Sequence, residues 1–449
     1  IIGCGKVGTA LTRQLCKEGH DITVIDKNAD KVEMNVNQYD VMGICGNGAS
    51  YSVLMEAGVE NADLVIAVTN SDELNLLCCT IAEQGRDCAT VARVRNPDYS
   101  KEIKYLKKSL GLTMVINPEL ETATEVARVL YMPTALEINS FAHGQAEMTK
   151  IKIPGHNMLD GLSVAHLGQQ LMDRAKNINI LICAVERDGE VYIPSGHFKL
   201  HAGDVLSFVG SRPMSRAFLD FIGFKTNRVS DAMIVGGGDV AYYLASQFNV
   251  KIIEKEKDRC ERLSILLPKA VIINADGTDQ DVLKEEGLSN AESFVALTGI
   301  DEENILLTLH ARHVSDAKTI TKINRSNFKE IINNLNLGSV FYPSFITAET
   351  ITAYVRAKSN TRSMNSSVQT LYHMFDFRVE AIEFRVDEVS EVTGKPLMDL
   401  KLKKDVLIAF INRNGTIITP SGHDTIEVGD TAMVVTTHTG FNDIRDILV

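Results

Sequence analysis

The chain begins with a glycine-rich turn, IIGCGKVG, in which Gly3, Gly5 and Gly8 follow a short apolar run and precede a helical pattern. A G-x-G-x-x-G turn in this context is typical of dinucleotide-binding sites. The first glycine permits the turn, the second lets a pyrophosphate approach the backbone, and the third lets helix and strand pack closely. The N-terminus of the following helix then favours phosphate. The alternative is that the glycines only permit a tight strand-to-helix corner.

An acidic residue follows this turn at a suitable distance. Asp26 ends the predicted second strand, about twenty residues further on. A carboxylate there can accept hydrogen bonds from ribose hydroxyls and repel a 2′-phosphate. The sequence therefore favours NAD or an adenine nucleotide over NADP.

Other polar residues follow the later strands, at the edge where open α/β sheets bind ligands. Arg93 and Arg95 alternate with apolar neighbours, so they could neutralise terminal phosphates together or form salt bridges with carboxylates, and both interpretations stay open. The candidate nucleotide contacts of this copy are Gly3, Cys4, Gly5, Lys6, Val7, Gly8, Asp26, Lys27, Asn47, Gly48, Ala49, Thr69, Asn70, Arg93 and Arg95.

The glycine turn recurs as GGGDVA, with Gly236 lying 233 positions after Gly3. The segments GNGAS…AVTNSDELN and ADGTD…ALTGIDEEN also correspond, for example through Asn75 and Asn304, which are 229 apart. Later, VYIPSGHFKLHAGD corresponds to IITPSGHDTIEVGD at a spacing of 226. The chain is therefore a duplication, and a small length change in the second strand or its helix separates the copies.

The second copy departs from the usual glycine pattern. Ala241 replaces the third glycine, which is tolerable because that position serves packing, whereas the negative charge of Asp239 opposes a pyrophosphate. This copy therefore either binds nucleotide or retains only the fold. Its candidate contacts are Gly236, Gly238, Asp239, Val240, Glu254, Asp276, Gly277 and Thr298.

The elements that must position these residues indicate an α/β fold class. Short β-rich runs alternate with helical patterns up to about residue 120, which predicts a doubly wound parallel sheet. The Asp188-Gly189 and Ala202-Gly203-Asp204 turns then predict a small α+β module built on hairpins. We expect four domains, at 1–120, 138–222, 228–345 and 363–449, with the linker-like stretch 359–367 before the last.

Composition excludes several functions. The net charge of −12 argues against nucleic acid as a partner, and no apolar run reaches the roughly 20 residues that cross a bilayer. No signal peptide is visible, and the eight cysteines lack metal-ligand spacing, so we expect them to be reduced and mostly buried. His310 and His313 share a helix face without a carboxylate or thiolate nearby, so no metal site is predicted. The repeated His197 and His423 are expected to be turn residues rather than catalytic groups.

These motifs resemble those of the Trk-type potassium uptake regulators, peripheral subunits in which two RCK units (regulators of potassium conductance) are fused. The resemblance covers essentially the whole chain and rests on GCGKVG, DITVIDKNAD, VARVRNPDY, GGGDV and both PSGH turns. It implies two Rossmann (RCK-N) domains, each followed by an RCK-C domain, with NAD(H) and ATP or ADP as ligands.

The resemblance also implies the partners. It implies a ring, expected to be a tetramer, that lies in the cytoplasm against the inner face of the membrane. There it would gate a membrane-embedded potassium-translocating subunit of the TrkH type, without enzymatic activity and without binding nucleic acid. The alternative is an NAD-dependent oxidoreductase with duplicated Rossmann domains.

Overall fold

The computed structural model describes residues 1–85, 88–175, 178–224, 226, 229–325, 329–359, 368–375 and 377–449. The chain divides into two compact units. One is formed by Ile1–Thr124 and Asp231–Thr352, and the other by Glu125–Ser230 and Ala353–Val449. Each unit therefore combines one part of each half of the duplication. Most of the predicted linker, residues 360–367, lies outside the described residues.

The first unit contains two Rossmann modules. The strands of the first are β1 (Thr23–Asp26), β2 (Met42–Cys45), β3 (Leu64–Ala67), β4 (Ala89–Arg93) and β5 (Met114–Ile116). Its helices are α1 (Lys6–Lys17), α2 (Ala29–Tyr39), α3 (Tyr51–Glu56), α4 (Asp72–Gly85), α5 (Pro97–Lys101), α6 (Ile103–Ser109) and α7 (Pro118–Tyr131). The short β-rich runs predicted before residue 120 are confirmed as parts of this sheet, to which the first run contributes Ile2 through β-bridges.

Ile2 holds the central position of this sheet through parallel bridges to Ile25 and Ala67. It joins the parallel pair β1–β2 to the parallel strands β3–β4–β5. Strands β3 and β4 are almost wholly buried, which matches their continuous apolar sequence because helices cover both faces of a parallel sheet. The predicted doubly wound parallel sheet is confirmed.

The second unit begins, in chain order, with the first small module. Its strands are β6 (Glu137–Phe141), β7 (Ala146–Lys152), β8 (Leu181–Arg187), β9 (Glu190–Tyr192) and β10 (Val205–Gly210), and its helices are α8 (Val164–Arg174) and α9 (Arg212–Phe221). The strands form an antiparallel sheet in the order β6-β7-β10-β8-β9. Asp188 and Gly189 both have positive φ between β8 and β9, so the predicted hairpin turn is confirmed.

The second Rossmann module completes the first unit. Its strands are β11 (Asp231–Val235), β12 (Asn249–Glu254), β13 (Val271–Asn274), β14 (Ser293–Ala296), β15 (Lys318–Lys322) and β16 (Ser339–Phe341). Its helices are α10 (Asp239–Ala245), α11 (Lys257–Leu266), α12 (Gln280–Glu285), α13 (Asp301–Val314), α14 (Lys329–Asn334) and α15 (Pro343–Ser359). The order β13-β12-β11-β14-β15-β16 is that of the first copy.

The change of spacing between the copies has a structural origin. Helix α1 has 12 residues, whereas α10 has 7. The spacing between equivalent residues accordingly falls from 233 at Gly3 and Gly236 to 228 at Asp26 and Glu254. The length change therefore lies mainly in the first helix, and the prediction that placed it in the second strand or its helix is wrong, because the spacing changes only from 228 to 229 between Asp26 and Gly48.

The second small module has the strands β17 (Val368–Met374), β18 (Val379–Arg385), β19 (Val406–Arg413), β20 (Thr416–Ile418) and β21 (Thr431–Thr436). Its strand order repeats that of the first small module. Short 3-10 turns, Leu397–Asp399 and Ile444–Ile447, stand where the first module has α8 and α9. The connection at 386–405 is shorter than that at 153–180, which leaves less chain for a helix.

The two small modules share a hydrophobic core within the second unit. Phe141 and Met148 of the first module are buried in one cluster with Phe410 and Val435 of the second. In both modules an arginine also binds the aspartate of the repeated Gly-Asp turn. Arg187 forms two 2.7 Å bonds with Asp204, and Arg413 bonds Asp430 at 2.9 and 2.8 Å. The repeated Gly-Asp motif is thus explained by the fold.

Candidate functional site

The three glycines of the first turn have different surroundings. Gly3 has a φ of 105°, in the region that favours glycine. A Cβ on Gly8 would lie 1.8 Å from the carbonyl oxygen of Gly3, so no side chain fits where helix meets strand. A Cβ on Gly5 would meet nothing within 4 Å. The turn therefore leaves open space at the position through which an external group can approach the backbone.

Asp26 ties the end of β1 to this turn. Its Oδ2 accepts a 2.7 Å hydrogen bond from the Cys4 N–H, and its Oδ1 accepts one of 2.9 Å from the Asn28 N–H. A carboxylate has further lone pairs, so these bonds do not exhaust its capacity to accept bonds from ribose hydroxyls. Gly5 is the N-cap of the 12-residue α1 and offers no side-chain acceptor to the first-turn N–H groups.

The second turn repeats this geometry. Gly236 has a φ of 102°, and Glu254 accepts a 2.6 Å bond from the Gly237 N–H and one of 2.8 Å from the Glu256 N–H. A Cβ on Gly238 would meet nothing within 4 Å, as at Gly5. The acidic residue in each copy therefore holds the glycine turn by the same pair of backbone bonds.

The charges around the two turns differ. In the second copy the Arg259 side chain crosses the turn, donating to the Gly237 carbonyl at 2.7 Å and to Asp239 at 2.9 Å. Lys255 binds Asp276 at 2.7 Å, and this bond holds the pKa of the Asp276 carboxyl well below its usual range. These two carboxylates lie beside the second glycine turn, in the space that we call the second crevice. Each of them is therefore neutralised by a cation of the same copy.

The equivalent positions of the first copy carry an excess of positive charge. Lys6, Lys27, Lys31 and Asn47 stand where the second copy has Asp239, Lys255, Arg259 and Asp276. The formal charge over these four positions is therefore +3 in the first copy and 0 in the second. Lys6, Lys27 and Lys31 are all exposed. The space beside the first glycine turn, the first crevice, consequently attracts an anion. In the second crevice, carboxylates of the protein itself already balance the positive charge.

The glycines after the third strand of each sheet have a packing role. A Cβ on Gly48 would lie 2.3 Å from the Ile2 side chain, and one on Gly277 would lie 2.3 Å from that of Val235. Ile2 and Val235 both lie on the central strands of the two sheets. These two glycines therefore let the loop approach the central strand, whether or not a ligand is present.

The repeated Thr-x-x-Asp-x-x-Asn segment forms a clamp at the strand ends. Asn75 is fully buried, accepts bonds from the N–H and hydroxyl of Thr69 at 2.8 and 2.7 Å, and donates to the Arg93 carbonyl at 2.9 Å. Asn304 bonds Thr298 and Lys322 at the same positions of the second copy. The Thr69 and Thr298 groups predicted to contact nucleotide are thus engaged within the protein.

The neighbouring aspartate of this segment holds the next loop. Asp72 accepts bonds from the N–H groups of Arg95 and Asn96 at 2.8 and 2.7 Å, and Asp301 accepts bonds from Asn324 and Arg325 at 2.9 Å each. The sequence prediction omitted Asp72 and Asn75 from the site, although their 229-residue spacing to Asp301 and Asn304 was visible.

Arg93 and Arg95 both form ion pairs. Arg93 bonds Glu119 at 2.9 Å, and Arg95 contacts Asp72 at 3.5 Å and the Asn70 carbonyl. Of the two roles left open by the sequence, the structure thus contains the salt bridges. The Nε of Arg93 has no hydrogen-bond partner among the described residues. A phosphate at either arginine would have to compete with a carboxylate.

The remaining candidate nucleotide contacts differ in whether their side chains are buried or exposed. The side chains of Cys4, Val7 and Val240 are buried, so only their backbone groups face the turns. Asn47 and Asn70 are exposed, and Ala49 donates its N–H to Asn47 at 3.3 Å. The first-copy turn, Asp26, Lys6 and Lys27 therefore come together around one crevice, whereas Arg93 and Arg95 lie further along the same sheet edge.

Groups associated with other functions are placed as follows. His197 and His423 are both exposed and lie in turns. Over the described ranges, no group of three His, Cys, Asp or Glu side chains could hold a metal ion, and no helix is long and apolar enough to span a bilayer. Six cysteines are buried, as predicted, but Cys45 is exposed and Cys16 is intermediate.

Two Rossmann folds alternate along the chain with two small antiparallel modules, and this arrangement defines a tandem protein in which the same pair of domains occurs twice. Family models agree: the TrkA-N domain matches residues 1–118 and 232–343, and the TrkA-C domain matches 148–223 and 381–449. The chain belongs to the TrkA family, as the sequence motifs predicted.

Curated relatives match over nearly their full length. The chain is 31% identical to "Trk system potassium uptake protein TrkA homolog 1" of Methanosarcina mazei, covering 97% of this chain and 96% of the relative. It is 28% identical to "Trk system potassium uptake protein TrkA" of Haemophilus influenzae, covering 96% and 93%.

Solved structures show the same fold. The GsuK RCK domain aligns with a TM-score of 0.63 at 17% identity, covering 97% of this chain and 91% of that one. The GsuK channel bound to NAD aligns with a TM-score of 0.62 at 18% identity, covering 97% and 76%. The predicted fold class, two Rossmann domains each followed by a small module, is confirmed.

Proposed function

We propose that this chain is a nucleotide-sensing regulatory subunit that gates a membrane-embedded potassium-translocating partner. Membership of the TrkA family supports the connection with potassium uptake, because the curated relatives are named for that system. The partner would be of the TrkH type, and the subunit would act from the cytoplasm on the inner face of the membrane.

The first Rossmann copy is the proposed sensor. The observation that carries this assignment is the formal charge of +3 at four crevice positions whose second-copy equivalents sum to 0. An adenine nucleotide would place its pyrophosphate over Gly5 at the start of α1 and its ribose hydroxyls on Asp26. Nucleotides also occur in structures of the same fold, because the GsuK channel has been solved bound to NAD and, at a TM-score of 0.50 to this chain, GsuK bound to ADP.

The second copy is proposed as the weaker site. Arg259 and Asp239 form an ion pair at 2.9 Å across its glycine turn, which a pyrophosphate would have to displace. The predicted contacts Gly236, Gly238, Val240, Glu254, Asp276, Gly277 and Thr298 therefore stay a prediction for this copy.

Gating requires that the nucleotide bind one conformation of the assembly better than another. Moving a two-state equilibrium from 1:99 to 99:1 needs about 5.5 kcal/mol of differential binding. In a ring of four chains, the proposed assembly, each first-copy site would supply about 1.4 kcal/mol, which corresponds to a tenfold preference. A modest preference at each site is thus enough.

Discrimination between ATP and ADP would depend on groups near the terminal phosphates. Arg93 and Arg95 are the proposed sensors, and a γ-phosphate would compete with Glu119 for Arg93 and with Asp72 for Arg95. Glu119 lies in the first turn of α7, so such competition would act at the start of that helix. Replacing both arginines with alanine should remove the difference between ATP and ADP affinities measured by calorimetry, and unchanged discrimination would disprove this role.

The central test is titration of NADH, ATP and ADP into the purified full-length chain and into two matched variants. Asp26→Asn should weaken binding at least tenfold, whereas Glu254→Gln, its second-copy counterpart, should change it less than about threefold. Equal losses in both variants would contradict the assignment of the first copy as the sensor, and no binding to the wild-type chain would contradict the proposal as a whole.

The oxidoreductase alternative predicts turnover of the cofactor. Hydride transfer needs a positioned acid or base facing the nicotinamide, and the two repeated histidines lie instead in exposed turns of the small modules. Absorbance at 340 nm should stay constant when NADH and candidate substrates are added to the chain. A potassium-flux assay with the partner in vesicles should respond to nucleotide under the same conditions.

A further inference from the structure

Lysines are concentrated around helix α6 of the first Rossmann module. The sequence of this region, KEIKYLKKSLG, covers residues 101–111. We call its exposed lysines the lysine patch, which consists of Lys101, Lys104, Lys107 and Lys108. With the carboxylates of Asp98 and Glu102 included, the formal charge over residues 98–108 is +2, although the whole chain carries −12. The patch is therefore a local excess of positive charge on an acidic protein.

The corresponding sequence of the second Rossmann module lacks these lysines. This stretch, KEIINNLNLG at 329–338, begins with the same KEI and ends with the same LG but contains a single lysine, Lys329. Helix α14 forms there, as α6 forms in the first copy. The fold that the two copies share therefore does not require the additional lysines, so packing does not explain them.

Three lysines of the patch have no carboxylate partner within the part of the chain that the structure describes. They are Lys104, Lys107 and Lys108, whereas the ammonium of Lys101 lies 3.7 Å from the Asp98 carboxylate. Lys104 stands in the first turn of α6, where the helix dipole disfavours a cation, and Lys108, four residues further on, repels it. The dipole favours Lys107 and Lys108 in the last turn. An anion outside the chain would offset the repulsion that remains within the helix.

The side chains of the patch indicate which anion it attracts. All four cations are lysines, which act as flexible point charges, whereas a single phosphate or carboxylate group is typically bound by the rigid fork of an arginine. Lys104, Lys107 and Lys108 are three and four residues apart, so they extend from one side of the helix. Tyr105 is 69% exposed beside them, and tyrosine is common where a membrane meets water. Several lysines with an exposed tyrosine fit an anionic membrane surface.

We propose that the lysine patch contacts anionic phospholipid headgroups of the membrane that holds the transport partner. The inference rests on the proposed function, since that function places the chain on the inner face of the membrane. In the proposed ring each chain would present one patch, and several weak contacts with one surface bind more tightly than a single contact. The first Rossmann copy would then face the membrane through α6, whether or not its crevice holds nucleotide.

The test is sedimentation of the full-length chain with lipid vesicles that contain no protein. The chain should sediment with vesicles of phosphatidylcholine and phosphatidylglycerol but not with vesicles of phosphatidylcholine alone. High salt should release it, because salt screens the attraction between exposed charges. The triple variant Lys104→Gln/Lys107→Gln/Lys108→Gln should lower the partition coefficient onto the anionic vesicles by about fivefold for each lysine, and so by about a hundredfold in total.

A second triple variant controls for the change in total charge. Lys257→Gln/Lys269→Gln/Lys284→Gln removes the same charge from exposed positions of the second Rossmann copy. It should bind the anionic vesicles within about threefold of the wild-type chain, because its lysines lie outside the patch. Equal losses in the two triple variants would assign the binding to total charge and overturn the role of the patch. Circular dichroism checks the fold of both variants.

Other outcomes separate this inference from the function on which it depends. If the wild-type chain binds nucleotide but sediments with neither kind of vesicle, the sensor assignment stands and the role of the patch is disproved. If the chain binds only vesicles that also contain the transport partner, regardless of lipid charge, the patch contacts an acidic segment of that protein and the lipid proposal is overturned. If the chain binds anionic vesicles through the patch but binds no nucleotide, the proposed function fails and the lipid contact stands.

Discussion

Gly5 and Gly8 are three residues apart in one turn, yet a side chain would have opposite consequences at the two positions. Gly8→Ala should lower the free energy of unfolding by about 1–3 kcal/mol or more, because its Cβ would lie 1.8 Å from the Gly3 carbonyl oxygen. Gly5→Ala should change stability by less than about 1 kcal/mol, since its Cβ meets open space. Urea denaturation of both variants measures the difference.

Gly8→Ala and Gly5→Ala also distinguish an effect on folding from an effect on nucleotide binding. Gly5→Ala should retain the fold but weaken ATP and NADH binding, because the new methyl group occupies the space through which a pyrophosphate reaches the backbone. Nucleotide affinity equal to that of the wild-type chain would show that the ligand does not approach the turn at Gly5.

Glu121, on α7, should make stability depend on pH. Burial raises the pKa of its carboxyl to about 7, and the charge of Glu119 acts in the same direction. Because the pKa of Glu121 is higher in the folded chain than in the unfolded chain, the protonated carboxyl favours the folded state. This contribution to the free energy of unfolding is complete below about pH 4.5 and falls by up to about 1.4 kcal/mol per pH unit as pH rises toward 7.

Glu121→Gln should therefore flatten the decline in unfolding free energy between about pH 4.5 and 7 and should make the chain more stable than wild type at about pH 8. The exposed Glu56→Gln is the control and should reproduce the wild-type profile. A wild-type slope that persists in Glu121→Gln would assign the pH dependence to another group.

At the scale of secondary-structure elements, the carboxyl ends of the strands are held by buried asparagines rather than by a ligand. Asn75 joins β3, β4 and α4, and Asn304 joins β14, β15 and α13. Asn75→Ala and Asn304→Ala should each lower the free energy of unfolding by about 2–4 kcal/mol, because each leaves more than one buried backbone group without its partner. Chemical denaturation measures both losses.

Comparing Asn75→Ala with Asn304→Ala also tests whether the repeated Thr-x-x-Asp-x-x-Asn segment has a structural role. If Thr69 and Asn75 acted mainly on nucleotide, Asn75→Ala would weaken ligand binding without a corresponding loss of stability. Losses of similar size in both copies are expected, because the hydrogen-bond pattern is the same although the charges of the two crevices differ.

At the scale of the whole molecule, the duplication does not correspond to the compact units. Residues 1–230 and 231–449 each contribute one Rossmann module to the first unit and one small module to the second. When the two segments are expressed separately and mixed, they should associate, because each exposes surfaces that the intact chain buries. Size-exclusion chromatography and co-purification with one tagged segment measure the association.

A weakened interface provides the control. Tyr243→Ala in the second segment removes the hydroxyl that bonds Asn117 and the ring that carries it, and should reduce the association. If both wild-type segments are monodisperse and remain separate, the contacts between the copies are too weak to hold the segments together.

The sequence by itself determined the duplication, the strands of both Rossmann modules, the hairpins of the small modules and the family. These features are local, since a strand is specified by a short apolar run and the turn at Gly3 by the need for positive φ. The membership of the TrkA family followed from the same local motifs. Even the clamp residues Asp72 and Asn75 were visible as repeats, although their role was not.

Only the tertiary structure decided which cations are already paired. The sequence could not tell that Arg259 reaches Asp239 or that Arg93 meets Glu119. Each of these relations joins side chains from different elements, and the closure of the chain, not its local pattern, sets their distances. The charge available to a ligand is what remains after such pairing, so it is a property of the folded molecule.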